Sequence, residues 1–452
     1  MSISLAPDVR PGRLSASDYA QRFADAAPRL SPAQAVLESE RCLYCFDAPC
    51  ATACPTHIDV PSFIRRIADG NLRGSARSIL EANPLGGMCA RVCPTENLCE
   101  AVCVRHTQED RPVAIGRLQR YAVDALMDSA QPQIFERSSS TGRKIAVVGA
   151  GPAGLACAHT LAKLGHSVVI FDAKPKAGGL NEYGLASYKT PNNFAQAEVQ
   201  WLLGIGGIEV RHGWKLETVS QLDALRRDFD ALFLGMGLPN THQLNVPGES
   251  LHGVQDAVDF IATLRQADNL ASLPIGRQVI VIGGGMTAVD AAVQSKLLGA
   301  QDVHMVYRRW PDAMTASKAE QEWAQTHGVS IHHWLAPIEI LPNTLDPQSV
   351  GAVRFARQMR VNGQLVSSSE TVVIEADMVL KAIGQTLGNP LLAEAGFEMD
   401  AGRIATDANG LTNQSGIWAG GDCRAGGLDL TVEAVAHGKQ SAQAIHTQLM
   451  NT

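Results

Sequence analysis

Twice in this chain a short apolar strand runs into a glycine-rich turn, a helix follows, and a second apolar strand closes the unit. The first copy starts at Lys144, where IAVVG leads into Gly149-x-Gly151-x-x-Gly154, an alanine-rich helix and the strand SVVIF ending at Asp172. The second starts at Gln278, where QVIVIG leads into Gly283-x-Gly285-x-x-Ala288, the helix AVDAAVQSKLLGA and the strand DVHMVYRR. Each reads as a βαβ unit built on a buried strand. Glycines at those intervals allow a tight turn and a close approach of the backbone to a pyrophosphate, which the helix N-terminus faces. An acid about twenty residues on can hold a ribose diol, and Asp172 stands at that point. Strand, turn, helix and terminal acid together predict a dinucleotide site, and the second copy predicts another. There the closing strand ends in Arg308-Arg309, a pair suited to a 2′-phosphate, with a solvated strand end or a pyrophosphate contact as the alternative.

Two more segments resemble each other, DALFLGMG from Asp230 to Gly237 and DMVLKAIG from Asp377 to Gly384, each expected as a strand crossing back between nested domains. Near the C-terminus GIWAGGDC sets Asp422 after a strand and paired glycines, and Thr431 to Ala442 starts a helix. Flavoproteins put such an aspartate on the ribityl chain. A first nucleotide unit, an inserted second unit and a return to the first imply an FAD domain over 137–245 and 378–452, interrupted by an NAD(P) domain over 246–377. RSSSTGR, from Arg137 to Arg143, reads as the linker into it.

Ahead of that linker lie eight of the chain's ten cysteines, in the runs Cys42-x2-Cys45-x4-Cys50-x3-Cys54-Pro55 and Cys89-x3-Cys93-Pro94-x4-Cys99-x3-Cys103. Bacterial ferredoxin runs also end in Cys-Pro, and their last cysteine reaches across to the other cluster, so two adjacent runs suggest interleaved iron-sulfur ligation. Disulfides are the economy of small secreted domains without a core, and structural zinc takes paired short knuckles rather than these gaps. Between the runs, Phe63, Ile64, Ile67, Leu72, Ile79 and Leu80 fall at helical intervals broken at Gly70 and Gly74, predicting two short helices. A further stripe, Ile115, Leu118, Tyr121, Ala122 and Leu126, closes a helical domain over 1–136. The expected fold is α/β with an all-α N-terminal iron-sulfur domain and two nested Rossmann-like dinucleotide-binding domains.

With 452 residues, 45% of them hydrophobic, the chain can build large cores. Its formal charge of -7 argues against a nucleic-acid binder. The start, MSISLAPDVRPGRLSAS, has no apolar signal region, and apolar stretches elsewhere are cut by glycine, so the expectation is a soluble cytoplasmic protein with no membrane span.

The stretches CLYCFDAPCATACPTHIDVPSFI, NPLGGMCARVCPTENLCEAVC, AGGLNEYGLASYKTP and GGGMTAVDAAVQSKLLGA occur in that order. Through them the whole chain resembles the N-terminal half of the dihydropyrimidine dehydrogenase family, in particular the separate flavoprotein subunit of its two-subunit bacterial members. It shares an architecture with the glutamate synthase small subunit. The resemblance implies FAD, two 4Fe-4S clusters and NAD(H), with NADP(H) as the alternative. One cluster would take Cys42, Cys45, Cys50 and Cys103, the other Cys54, Cys93, Cys99 and Gln119, which lies sixteen residues after Cys103. Cys89 is then left over, and four cysteines per cluster is the alternative. Cofactor contacts carry over onto Val92, the first turn (Gly149, Gly151, Pro152, Ala153, Gly154), Asp172, Gly179, Leu180 and Lys189. They continue at Gly384, Gly421, Asp422, Thr431 and Val432. The nicotinamide would lie along Gly283, Gly284, Gly285, Met286 and Thr287, near Arg308 and Arg309. Where NADPH-using members of the family carry another arginine this chain has Thr315, which favours NADH.

The implied activity is NAD(P)H-dependent electron input to an FMN- and iron-sulfur-containing catalytic subunit that reduces uracil or thymine to the 5,6-dihydro form. The chain stops about where that half of the family would begin, so a heteromer is expected, with a heterotetramer as one arrangement. A glutamate synthase small subunit and a ferredoxin-NAD(P) oxidoreductase are the rival readings. No catalytic acid or base is expected, since hydride transfer requires none.

Overall fold

The computed structural model describes residues 6–451, and residues 1–5 and 452, the outer ends of the expected domains, lie outside the described residues. The chain divides into two compact units. Of the described residues, one holds 27–182, 189–240 and 386–451, the other 6–26 with 183–188 and 241–385.

The first unit begins with the cysteine-bearing helices. Ser31 starts Pro32–Ser39 with a capping box, and Asp59 accepts from the Ser62 N–H to start Val60–Ala68. The next helix, Leu72–Ala82, runs through Gly74. Gly74, expected as a break, lies in its first turn instead. The Asn71 side chain caps the Gly74 N–H at 2.9 Å, and a Cβ on Gly74 would come within 2.6 Å of that amide. Gly86–Val92 and Ile115–Met127 complete the bundle, with Phe63, Ile64, Ile79, Leu118 and Ala122 all fully buried between them.

The unit's sheet has five parallel strands in the order Ile417–Ala419, Ala231–Leu234, Lys144–Val148, Ser167–Asp172, Ile208–His212. Both faces are covered, as the unbroken apolar run IAVV requires. Ile145 and Val147 join one core, while Ala146 and Val148 face another that holds Leu222, Leu232 and Leu392. The core on the Ile145 side also takes in Phe63, Ile79 and Leu118, so the cysteine-bearing helices and this sheet share one continuous interior. Pro152–Lys163 and Thr431–Met450 pack closely there. A Cβ at Gly438 would lie 2.1 Å from the Ala153 carbonyl oxygen.

The second unit repeats the plan: five parallel strands in the order Val329–His333, Asp302–Tyr307, Gln278–Ile282, Met378–Lys381, Val254–Asp256. Met378–Lys381, expected to open the returning flavin segment, pairs here with Gln278–Ile282. Each glycine-turn strand takes a parallel neighbour on the side away from its own βαβ partner. ALFL supplies it in the first sheet and MVLK in the second. Residues 6–26 also belong to this unit rather than to the cysteine-bearing helices. Val9–Arg10 pairs antiparallel with Ile275–Gly276, and the Asp8 N–H donates to Asp377 at 3.1 Å. A three-stranded antiparallel sheet, Leu335–Pro342, Val350–Val361 and Gln364–Glu375, completes the unit. No helix among the described residues is long and apolar enough to cross a membrane.

Candidate functional site

The first glycine turn gives its three glycines three different jobs. Gly149 has φ +103°, and a side chain there would run into the Gly235 carbonyl oxygen at 2.3 Å. Gly154 packs helix on strand so tightly that a Cβ would lie 1.9 Å from the Gly149 carbonyl oxygen. Gly151 is different: its φ is -77° and a Cβ would meet nothing nearer than the Gly179 Cα at 3.9 Å. The protein itself does not need a glycine at 151, so the space above that backbone fits a bound group, and the N-terminus of the 12-residue helix Pro152–Lys163 opens onto it.

Other predicted residues gather around that helix start. Asp172 fixes the turn by accepting from the Ala150 N–H at 2.6 Å and from the Lys174 N–H at 2.7 Å, one on each carboxylate oxygen. Gly179 lies against Gly151, where a Cβ would come within 2.7 Å of the Gly151 Cα, with Leu180 next in the chain and 40% exposed. Gly421 lies against Ala153, and its N–H donates to His437 Nδ1 at 3.3 Å. Burial pushes the His437 imidazole down to about 4, so the ring is neutral and can accept. Asp422 follows, its carboxyl pushed up to about 6 by burial, with the Asp429 charge adding to it. Thr431 donates to Asn181 at 2.9 Å and starts the last helix, where Val432 is buried. Lys189 is half-buried in the same unit.

The second turn is built alike. Gly283 lies against Ala382, where a Cβ would meet the carbonyl oxygen at 2.3 Å, and Gly285 caps Met286–Leu297. Among the described residues, the only near neighbour of a Cβ on Gly285 is the Thr315 hydroxyl at 3.1 Å. The Thr315 and Ala316 N–H groups donate to the Gly284 carbonyl, which folds residues 311–316 over the turn. Tyr307, whose ring leaves no room for a side chain on Gly284, was not legible as a site residue. Met286 and Thr287 form the first helical turn, and Arg308 and Arg309 are exposed beyond the strand end. Gly384, φ +103°, holds His242 by its carbonyl at 3.1 Å.

The cysteines separate into two groups. Cys42, Cys45, Cys50 and Cys103 line one cavity with Val60, Ile64, Val113 and Ile115. Burial raises the Cys42 and Cys50 thiols, Cys50 up to about 11, with neighbouring thiolates adding to it. In the second group the hydrogen bond that the Cys93 thiol makes to Cys89, ahead of burial, raises the Cys93 thiol, and Cys99 and Cys54 act on it too. Burial likewise raises Cys99. Thiolates so desolvated and so close repel one another, and a cationic metal centre reverses that balance, which fits an iron-sulfur donor set. None of the ten cysteines is paired in a disulfide. Among the described residues no three His, Cys, Asp or Glu side chains close on a single metal ion.

Cys89, expected to be left over, therefore lies beside Cys93. Gln119 is buried and donates through Nε2 to the Gly86 carbonyl at 2.7 Å, one turn before Cys89. Both side chains are thus tied to the same short helix. Cys157 is a core residue, and Cys423 donates to the Leu234 and Gly420 carbonyls at 3.3 Å.

Residues 143–438 match the pyridine nucleotide-disulphide oxidoreductase family, and residues 19–131 match dihydropyrimidine dehydrogenase domain II, 4Fe-4S cluster. The chain is 34% identical over 422 residues to the NAD-dependent dihydropyrimidine dehydrogenase subunit PreT of Salmonella typhimurium, covering 93% of this chain and 96% of that one. It is 32% identical over 446 residues to the glutamate synthase (NADPH) small chain of Escherichia coli, covering 94% and 93%. Mycobacterium tuberculosis FprA in complex with NADPH shares the fold with a TM-score of 0.56 at 19% identity, over 68% of this chain and 85% of that chain. By these matches the chain belongs to the pyridine nucleotide-disulphide oxidoreductase family, as an NAD(P)H-dependent iron-sulfur flavoprotein of the kind that carries the dihydropyrimidine dehydrogenase 4Fe-4S domain.

Proposed function

We propose that this chain is the electron-input subunit of a pyrimidine-reducing dihydropyrimidine dehydrogenase, passing electrons from NADH through FAD and two 4Fe-4S clusters to an FMN- and iron-sulfur-containing partner subunit that reduces uracil or thymine. The observation that carries this reading is the 34% identity to the PreT subunit across 93% of the chain, with the cysteine runs inside the matched dihydropyrimidine dehydrogenase 4Fe-4S domain at residues 19–131. When bound, a flavin takes two electrons as hydride from a nicotinamide and iron-sulfur centres take them singly. The protein's part is placement.

Under this reading Gly151 leaves room for the pyrophosphate of FAD on a turn that Gly149 and Gly154 shape, and Asp172 and Asp422 hold its hydroxyls. Cys42, Cys45, Cys50 and Cys103 hold one cluster, and Cys54, Cys93, Cys99 and Gln119 the other. Gln119 has its amide nitrogen fixed on Gly86, which leaves the amide oxygen as its ligating atom. Thr56 lies 3.3 Å from the Cys54 sulfur and donates to it as a thiolate. Thr315, beside Gly285, brings no charge to a 2′-phosphate, which supports NADH over NADPH despite Arg308 and Arg309.

Co-expression with an FMN-binding candidate subunit, followed by uracil-dependent NADH oxidation, tests the reading. The chain alone reduces only artificial acceptors. Uracil reduction by this chain unaided would overturn the two-subunit arrangement, and glutamate formation from glutamine and 2-oxoglutarate with a large partner would move the assignment to glutamate synthase. A larger kcat/KM for NADPH than for NADH would overturn the cofactor choice.

A further inference from the structure

We infer that Glu198 is a positioning residue for electron passage: from the flavin half it caps the helix Gly86–Val92, and so fixes the second cysteine group relative to the flavin site. The inference rests on the reading in which Cys54, Cys93 and Cys99 hold a cluster.

The helix Gly86–Val92 begins at Leu85 without a side-chain cap of its own. Its first N–H groups have no partner within the helix and must find one elsewhere. Glu198 supplies it from Phe194–Leu203, a helix that follows the glycine turn and its βαβ unit. One carboxylate oxygen accepts from the Gly87 N–H at 2.7 Å, and both lie 3.2 Å from the Met88 N–H. Glu198 has 0% exposure. A carboxyl that dry is costly in a core, and its partners here are backbone groups of the cysteine-bearing helix, not a surface ion pair.

Two further contacts close the same seam. A Cβ on Gly87 would come within 2.5 Å of the Phe194 ring and 2.7 Å of Glu198, so the two helices meet backbone to side chain with no slack. Four residues on, the Arg91 guanidinium lies 3.4 Å over the Phe194 ring and pairs with Asp124 at 2.7 Å. Val92 and Cys93 follow directly, and the Gly86–Val92 helix also packs against Thr431–Met450, the helix that starts beside Asp422. The cap, the close approach and the stacked arginine therefore hold one end of the second cysteine group on the framework that carries the FAD residues.

The test uses the full-length chain loaded with FAD and iron, with stopped-flow flavin reduction by NADH or NADPH, freeze-quench EPR of the clusters, and flavin and iron content. In Glu198→Ala flavin reduction is unchanged, while the second cluster's signal appears roughly tenfold more slowly and with an altered line shape. The first cluster's signal stays as in the wild type. Glu198→Gln, which keeps an acceptor for the Gly87 N–H, restores both rate and line shape. Gly87→Ala, whose backbone conformation any residue can adopt, reproduces the Glu198→Ala behaviour and carries the test if that variant does not fold. Wild-type rates and spectra in Glu198→Ala and Gly87→Ala, or a Glu198→Gln variant as slow as Glu198→Ala, would overturn the inference. A wild-type chain that binds no iron would overturn the cofactor reading first, a result distinct from either of these.

Discussion

At the scale of single residues, the first glycine turn separates what the fold needs from what a ligand needs. Gly154 is required by the protein: a methyl group there meets the Gly149 carbonyl oxygen at 1.9 Å, so Gly154→Ala forces the helix off the strand. The expected loss is about 1–3 kcal/mol or more, read as a lowered midpoint in thermal unfolding. Gly151→Ala meets only a Cα at 3.9 Å, so it folds with little change in stability and loses FAD, read by flavin absorbance after gel filtration. A Gly151→Ala chain that kept its flavin would sink the assignment of that turn. The motif spacing made both glycines visible in the sequence, but the distinction between them depends on Gly149, Gly179 and the strand, which only the folded chain brings together. The same limit applies to Cys89 and Gln119. Spacing could not order them, and the fold ties both to Gly86–Val92. With Gln119 as ligand, Gln119→Ala loses one cluster's iron while Cys89→Ala keeps both, and the opposite pattern would exchange their roles.

At the scale of elements, the strands were legible because a parallel sheet buries both faces and writes an unbroken apolar run, as in IAVV and VIVI. The return point near residue 377 was not, because MVLK is equally apolar in either sheet and only its pairing with Gln278–Ile282 decides. Gly74 misled for a related reason: a glycine inside a helical pattern reads as a break, yet here it makes room for the Asn71 cap. Glu198 left a faint signal, one acid in the apolar helix FAQAEVQWLL, with nothing in the sequence to name its partner. Its burial has a consequence for stability. Burial raises its carboxyl from the ordinary 4.5 to about 8, against the opposing pull of the Gly87 N–H and Arg91. A raised folded-state value means that the folded chain holds this proton more tightly than the unfolded chain does. The stability it contributes is full below about 4.5, falls as pH rises towards about 8, and is gone above that. Glu198→Gln has no proton to lose there, so denaturant titrations of wild type and variant diverge between pH 5 and pH 8, with the wild type losing ground by a few kcal/mol. Parallel pH profiles would show that the carboxyl is not held in its neutral form.

At the scale of the molecule, the cysteine domain looked separable in the sequence, with a polar linker, RSSSTGR, between it and the first strand. In the fold that linker closes no gap. Ile134 and Phe135 just before it are buried, and Arg137 within it donates to the His166 carbonyl at 2.9 Å. One hydrophobic core runs from Leu30 through Phe63 and Leu118 to Ile145, Leu161 and Leu449. Polar anchors follow the same line: Lys439 on the last helix donates to the Glu81 carbonyl at 2.9 Å, and also to the Ala82 carbonyl, at the end of Leu72–Ala82. Elements that share a core unfold together, because neither can expose its half without exposing the other. Iron bound at the cysteines stabilises only the folded state, so removing it lowers the stability of everything in that cooperative unit. Anaerobic chelation of iron, or the paired substitution Cys54→Ser with Cys99→Ser, should therefore lower the temperature at which FAD is released. Flavin fluorescence and far-UV circular dichroism should report one transition for the helices and the first sheet, shifted by the same amount. Release of iron that leaves the flavin transition unmoved would mean that the helices fold as a separate domain, as the linker first suggested, and that the shared core carries no cooperativity between them.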